Sequence, residues 1–354
     1  EKGSAMVNSM PVDEFSGLAE KKDYANNLED LDLEDTVYLD DEKLLNHALM
    51  AEEAMLDNKG VTNSEGATRS FSKNKFSIVN SRDFHASYSK TYHSISSIAI
   101  AGEDTNMQRD YEYSAATHSD DLVSAVKVGS LAAKRATSRL NSKKIKSCSL
   151  DVIFEPRVAK SILSSFCSCA TGSSIARGTS FLNNKLDTLI FKNNISITNN
   201  PKLKRGIGSA PYDINGIKNE NISIVENGRL KNYFLNLRSS RQLKMKLNGN
   251  SSPHNLILNK GNNTLEDIKK NIKDGFLVTE MLGMSFNPLN GDYSRGAAGF
   301  KIDNGEISYP VSEVTIAGNL LEMLKNLTPA NDLLINDNIN SPSILIEGMT
   351  LAGL

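Results

Sequence analysis

The sequence predicts an α+β protein of two domains, at residues 1–146 and 147–354. A chain of 354 residues is long enough to bury two hydrophobic cores. In the first domain, two helical patterns flank a region where apolar residues recur at about every second position, which indicates an antiparallel sheet with helices. In the second domain, short apolar strands separated by Gly- and Asn-rich turns predict a β-rich, barrel-like sheet with further helices.

Composition and charge argue against several kinds of partner. The net charge of −2 gives no electrostatic reason to expect a nucleic acid or an anionic membrane. No apolar run approaches the roughly 20 residues that a membrane-spanning helix needs. Three cysteines do not make a disulfide framework, so a reduced cytoplasm is the simplest setting.

The elements of the first domain follow from changes in periodicity. Residues 29–42 are dense in Asp and Glu, which predicts a solvated loop or, alternatively, a docking strip for a basic partner. Residues 41–57 have helical spacing, with an apolar stripe at Leu44, Leu45, Ala48, Leu49 and Met55. Strands are expected at 76–79, 84–92, 94–101 and 109–113. A second helix at 122–140 and a basic linker at 141–146 end the domain.

The histidines do not have the spacing of a metal site. His47 lies beside the apolar stripe of its helix, without a second ligand three or four residues away. His85 and His93 would share one face of a strand, but about 26 Å apart if the strand is continuous. We therefore expect His47 to be a surface or packed residue, and His85 and His93 not to share one metal without a turn between them.

The second domain begins with an apolar strand at 150–154 and a helix after Pro156. Residues 173–260 are rich in strands and turns, and Asn227-Gly228 predicts a hairpin. A basic helical patch is expected to be solvated, with an acidic partner surface as the alternative. It consists of Arg238, Arg241, Lys244 and Lys246.

The chain then continues with a predicted helix at 264–273 and a strand at 275–282. Short strands at 343–346 and 349–352 are expected to close the barrel-like sheet.

Residues 291–319 form the most distinctive stretch. Asp303-Asn304-Gly305 predicts a hairpin turn, because Asn and Gly tolerate the positive φ of two-residue turns. We expect strands at 293–302 and 307–311 around this turn. A helix is predicted at 315–327, with one face made by Ile316, Leu320, Leu324 and Leu327. Asp292 and Arg295 are expected to form a buried pair beside Tyr293.

This stretch resembles the signature of the TldD/PmbA family, the so-called modulators of DNA gyrase, and most closely its PmbA (TldE) branch. The matching run consists of Gly291, Asp292, Tyr293, Ser294, Arg295 and Gly296, and Tyr-Pro-Val-Ser-Glu follows at 309–313. The resemblance extends along essentially the whole chain. Family members begin with an earlier segment of strands and helix, so it implies that residues 1–5 lie within the family's first domain.

The resemblance also implies where a zinc site would lie. In the catalytic TldD branch, a helix resembling His-Glu-x-x-x-His precedes a Gly-Thr-Ser run, and a cysteine near the C-terminus is a further ligand. Alignment on residues 178–180 places these positions on Leu163, Ser164, Ser168 and Ser341. A leucine has no donor atom, and serine hydroxyls are poor zinc ligands. We therefore expect no metal-binding or catalytic residue in this chain.

By this resemblance, the chain is expected to be the PmbA/TldE-like subunit of a TldD–TldE-type metalloprotease. The zinc would belong to a TldD-like partner, and this chain would carry no cofactor. Substrates would be peptides or unfolded protein segments, bound by adding a strand to an exposed sheet edge.

Two alternatives stay open. One is an independent hydrolase that uses Cys167 or Ser294 as its nucleophile. The other is a self-associating peptide-binding module, which would form a homodimer when alone. Cys167 and Cys169 are poor candidates for one metal site, because residues two apart on a helix point about 160° away from each other.

Overall fold

A computed structural model describes residues 2–7 and 9–354. The helices of the N-terminal region are α1 (Lys2–Val7), α2 (Asp41–Leu56) and α3 (Ala125–Ser138). Its strands are β1 (Val61–Val79), β2 (His85–Ala101) and β3 (Gln108–Ala116). They form an antiparallel sheet in the order β1-β2-β3, as predicted. None of the described helices is long and apolar enough to cross a membrane.

Helices α2 and α3 pack on one face of this sheet. Along the second half of β2, every second residue is buried against them, among them Ile95 and Ala99. Gly129 of α3 lies against α2 so closely that a Cβ atom there would be 1.9 Å from the carbonyl oxygen of Ala51. Only glycine allows the two helices to approach to this distance.

The N-terminal sheet differs from its prediction in extent. β1 begins at Val61, well before residue 76, and β2 is one continuous strand instead of two. The predicted stripe on α2 is also partly wrong, because Leu45 and Leu49 are exposed while Ala51 and Met55 are buried. The close contact with α3 determines which face of α2 is covered.

The C-terminal region contains the remaining elements. Its helices are α4 (Pro156–Cys169), α5 (Gly172–Ala176), α6 (Leu237–Leu243), α7 (Leu265–Lys270) and α8 (Leu320–Lys325). Its strands are β4 (Cys148–Phe154), β5 (Ile197–Asn199), β6 (Ile222–Glu226), β7 (Arg229–Leu230), β8 (Leu256–Leu258), β9 (Asp274–Phe286), β10 (Asp292–Asp303), β11 (Glu306–Asn319), β12 (Leu327–Pro329), β13 (Ile339–Asn340) and β14 (Ile344–Ala352).

The predicted barrel-like sheet is confirmed. Its strands follow the order β11-β10-β9-β4-β14-β12, and β11 also pairs with β14. This last pairing closes a ring of five strands around the main hydrophobic core. A second sheet has the order β13-β8-β5-β6-β7.

The hairpin between β10 and β11 has the predicted turn, with positive φ at Asn304 (48°) and Gly305 (84°). The helix predicted at 315–327 is wrong, because β11 continues to Asn319 and α8 covers only Leu320–Lys325. Residues 315–317 pair with β14 to close the barrel, and this tertiary pairing overrides the helical spacing of the leucines.

Two segments expected to be solvated pack against the chain itself. In the acidic segment 29–42, Leu31, Leu33 and Leu39 are buried. In the basic patch, the helix ends at Leu243, and Arg241 donates hydrogen bonds to the carbonyl oxygens of Ser16 and Leu18. Partners within the chain therefore occupy part of both surfaces.

Candidate functional site

The signature run lies at the start of β10. Gly291 has a φ of 86°, a conformation that favours glycine. Tyr293 is buried, and its hydroxyl donates to Met281 Sδ over 3.3 Å. Burial raises the pKa of Tyr293 to about 12, so its phenol is neutral near pH 7.

The predicted pair between Asp292 and Arg295 is wrong. Residues three apart on a strand point to opposite faces of the sheet. Asp292 accepts a hydrogen bond from Asn290 Nδ2 (2.7 Å), while Arg295 Nη1 donates to Ser161 Oγ of α4 (3.4 Å). Arg295 therefore ties β10 to α4.

The two candidate nucleophiles, Cys167 and Ser294, lack an activating environment. Cys167 and Cys169 are both buried on α4, and burial raises the pKa of both thiols, for Cys169 to about 11. A thiol of this kind is a poor nucleophile, because the thiolate is the reactive form. Ser294 is half-buried, and no described residue forms a hydrogen bond with its hydroxyl.

The four positions matched to the zinc site of the TldD branch lie in different surroundings. Leu163 is buried in the core under α4, whereas Ser164 and Ser168 are exposed on the opposite side of this helix. Ser341 is buried, and its hydroxyl donates to the carbonyl oxygen of Pro342 over 2.8 Å. These four side chains do not fit a zinc ion, because Leu163 has no donor atom and the other three are serines, whose hydroxyls are poor zinc ligands.

The structure does not bring His85 and His93 together. His85 is exposed and His93 is fully buried, although both lie on β2, because the hairpin extends beyond the helices that cover its base. His93 Nε2 is 3.2 Å from Asp35 Oδ2, in a buried contact that joins the acidic segment to the sheet. Within the described part of the chain, no three His, Cys, Asp or Glu side chains are placed to share a metal ion.

A cleft separates the edge of β3 from the coil at residues 334–337. It has two arms of about 330 and 460 Å³, and Ala115, Asn336 and Asp337 line both arms. The first arm also reaches the start of α4 and Ser341. This cleft is therefore a concave site that borders the helix singled out by the resemblance.

Buried ion pairs form the floor of the first arm. Arg157 Nη1 is 2.7 Å from Asp110 Oδ1, and Arg135 Nη1 is 3.0 Å from Glu155 Oε1. Burial raises the pKa of Glu155, and the two arginines act in the opposite direction. This network fixes α3, β3 and α4 relative to one another and makes the floor rigid.

A second polar cluster lies in the first arm and joins the coil to β3 and α4. Lys160 Nζ is 2.6 Å from Asp337 Oδ2 and also contacts the hydroxyl of Tyr113, which donates to Asp337 over 2.9 Å. Burial opposes the charge on Lys160, but these hydrogen bonds outweigh it and raise its pKa. The cluster holds the coil against α4 and β3.

The outward edge of β3 is covered along most of its length. Arg139 and Arg157 donate to the carbonyl oxygens of Arg109 (3.1 Å) and Tyr111 (2.7 Å). The backbone N–H groups of Tyr111 and Tyr113 donate to the carboxylates of the residues that precede them. Side chains of the protein thus take the place of a further strand, a common way to protect an edge.

The edge of β3 is open near its C-terminal end. Odd-numbered residues of β3 point their backbone groups away from β2, since Tyr111 and Arg109 do so. No described residue forms a hydrogen bond with the N–H or C=O of Ala115, or with the C=O of Tyr113. Both residues line the first arm of the cleft.

Sequence reasoning missed the residues of this cleft. Tyr113, Lys160 and Asp337 lie on three elements far apart in the chain, so no local motif joins them. The strand that carries Tyr113 was predicted, but the covering of its edge by arginines depends on tertiary contacts.

Comparison with known proteins gives matches over nearly the whole chain. Residues 20–140 match the PmbA/TldA metallopeptidase central domain, and residues 147–353 match the PmbA/TldA metallopeptidase C-terminal domain. A metalloprotease PmbA homolog from Buchnera aphidicola is 37% identical over 97% of this chain and 78% of its own length. Metalloprotease PmbA from Escherichia coli O157:H7 is 35% identical over 96% of this chain and 76% of its own length.

Solved structures have the same fold. One, described as a modulator of DNA gyrase from Bacteroides thetaiotaomicron, superimposes with a TM-score of 0.93 at 27% identity, covering 100% of this chain and 82% of the other. TldE from Thermococcus kodakarensis superimposes with a TM-score of 0.85 at 19% identity, covering 99% and 83%.

Proposed function

Because the chain belongs to the PmbA/TldA metallopeptidase family, we propose that it is a PmbA/TldE-like subunit of a TldD–TldE-type metalloprotease. In this proposal the complex acts in the cytoplasm on peptides or unfolded protein segments. This chain binds and positions the substrate, and a TldD-like partner supplies the zinc and the general base.

One observation carries the proposal, namely the open edge of β3 at Ala115. An extended peptide lying in the cleft can accept a hydrogen bond from the N–H of Ala115 and donate to the C=O groups of Ala115 and Tyr113. Such pairing is independent of sequence, because it uses the main chain of the peptide. A folded protein has few free main-chain groups to offer, so the cleft favours unfolded segments.

The division of labour rests on the four positions matched to the zinc site. Leu163, Ser164, Ser168 and Ser341 do not offer the imidazole, carboxylate and thiolate groups that hold zinc and activate water. Metal analysis of the purified chain, alone and mixed with a TldD-like protein, tests this directly. Zinc is expected only with the partner, and stoichiometric zinc in the lone chain would contradict the proposal.

The substitution Ala115→Pro tests the pairing of the substrate. Proline removes the outward N–H without touching the hydrogen bonds between β3 and β2, and edge strands tolerate it at such positions. Peptide cleavage by the mixture should fall about tenfold, the equivalent of one hydrogen bond of about 1.5 kcal/mol. Ala115→Ser keeps the N–H and is the matched control, which should cleave peptide normally.

The other functional hypotheses have less support. The raised pKa of Cys167 and the lack of a hydrogen-bonded base at Ser294 in the described structure argue against an independent hydrolase. Self-association is tested by sizing the chain alone and with its partner. A stable homodimer that excludes the partner would favour the binding module.

A further inference from the structure

We propose that the cleft selects peptide segments with acidic side chains on both sides of the residue that pairs with Ala115. The inference rests on the proposed function and adds a substrate class to it. Its basis is the charge that the two arms present to a bound strand.

The carboxylates of the cleft are already neutralised by the chain. Glu112 and Glu155 pair with arginines on the floor of the first arm, and Asp337 pairs with Lys160. Asp121 in the second arm lies 3.5 Å from Arg205. A cationic peptide side chain would therefore have to displace an existing ion pair.

Two lysines, in contrast, have no such partner. Lys127 lines the first arm from α3, and Lys204 lines the second arm from the coil that precedes Arg205. Both are exposed, and neither forms an ion pair with a residue that the structure describes. Ala115 lines both arms, so each arm that meets at the pairing position contains one of these lysines.

The paired groups of the two arms add no net positive charge. Six cationic side chains and four carboxylates line the arms, and Asp110 and Asp32, which pair with Arg157 and Arg205, cancel this difference. The charge selection therefore rests on Lys127 and Lys204, the two lining cations without a carboxylate partner among the described residues.

The arms also have an apolar component. Val123 and Leu131 line the first arm, and Ile335 lines the second. Preferred segments should thus combine acidic residues with apolar ones. This mixture separates an acidic peptide from a nucleic acid, whose charges lie on a continuous backbone.

Fluorescence anisotropy with three labelled peptides of equal length tests the inference. They carry Glu, Gln or Lys at the flanking positions and are otherwise identical. At low salt the chain should bind the Glu peptide roughly tenfold more tightly than the Gln peptide, about three- to fivefold for each lysine. The preference should weaken as salt is added.

Charge reversal shows whether these lysines cause the preference. Lys127→Glu with Lys204→Glu should abolish or invert the order of the Glu and Lys peptides. Lys246→Glu, at an exposed lysine on the C-terminal region away from the cleft, is the matched control and should keep the order.

The results distinguish this inference from the proposed function. Equal binding of the Glu and Gln peptides, with binding still sensitive to Ala115→Pro, would overturn the charge selection and leave strand addition intact. If Ala115→Pro leaves the affinity for all three peptides unchanged, strand addition itself would be overturned. Competition by a single-stranded DNA oligonucleotide as strong as that by the Glu peptide would overturn peptide selection, because it indicates a general anion site.

Discussion

The edges of the two main sheets are protected in different ways. In the C-terminal region, β11 pairs with both β10 and β14, so a ring of five strands closes around the core. In the N-terminal region, β3 pairs only with β2 among the described strands, and arginines cover most of its free side. Closure removes pairing groups and adds buried area, whereas a covered edge can keep one position available. The difference suggests that the barrel serves stability and the N-terminal sheet serves binding.

The largest effect on stability is expected when a core side chain of the closed barrel is removed. Phe276 on β9 is fully buried in the main core. Phe276→Ala should lower the free energy of unfolding by about 3–5 kcal/mol, through lost burial and the cavity that remains. Urea unfolding measures this change. Leu282→Ala is the control on the same strand, because that side chain is 57% exposed and should contribute about 0.5 kcal/mol or less.

Removing an arginine that covers the edge of β3 should have the next largest effect on stability. Arg157→Met keeps the length of the side chain but leaves buried Asp110 with a weaker contact to Arg139 at 3.4 Å. The expected loss in unfolding free energy is about 2–4 kcal/mol, the order found when a buried ion pair loses one partner. The exposed carbonyl oxygen of Tyr111 should also make the chain more prone to aggregate.

A matched control lies on the same strand. Arg109 pairs with Glu65 over 2.7 Å, but both side chains are nearly half exposed. Arg109→Met should therefore cost less than about 1 kcal/mol. Equal losses for the two variants would show that the arginines at this edge have no special structural role.

Sequence patterns predicted the parts of this comparison that depend on local interactions. The turn at Asn304-Gly305, the hairpin at Asn227-Gly228 and the helix after Pro156 all formed as expected, because each is determined by neighbours in sequence.

Parts that depend on distant residues were not predictable. The strand at 315–319 had helical spacing, and only its pairing with β14 makes it a strand. The cleft likewise requires Tyr113, Lys160 and Asp337 to meet from three separate elements. A single sequence does not indicate which distant residues will lie close together in the fold.

An intermediate effect on stability is expected at Lys90, where the β1–β2 hairpin contacts the C-terminal region. Lys90 on β2 donates to the carbonyl oxygens of Ile207 and Ser209, and burial lowers its pKa to about 8. An unfolded lysine titrates near 10.5, so between about pH 8 and 10.5 the unfolded chain binds more protons. The contribution of Lys90 to stability should therefore increase with pH across this range, by about 1–3 kcal/mol.

Comparison of unfolding free energies at pH 7.5 and 10 tests this effect. Lys90→Met should lose the increase that the wild type shows, because it has no proton to release. Lys73→Met is the control. Lys73 lies on the same hairpin and forms an exposed ion pair with Glu34, and removing this pair should leave the pH dependence unchanged. An unchanged slope in Lys90→Met would show that this ammonium is not destabilised by burial.

The smallest effect is expected on the outer face of α4, which carries two of the four positions matched to the zinc site. Ser164 and Ser168 are exposed, and the hydroxyl of Ser168 donates only to the carbonyl oxygen of Ser165, over 2.7 Å. Their joint replacement by alanine should change the unfolding free energy by less than about 0.5 kcal/mol. Peptide cleavage by the mixture with a TldD-like partner should stay within about twofold, because neither hydroxyl activates water in the proposed division of labour. A tenfold loss of cleavage at unchanged stability would instead assign these serines a direct part in the reaction. It would then be wrong that β3 contributes to binding while α4 takes no part in the chemistry.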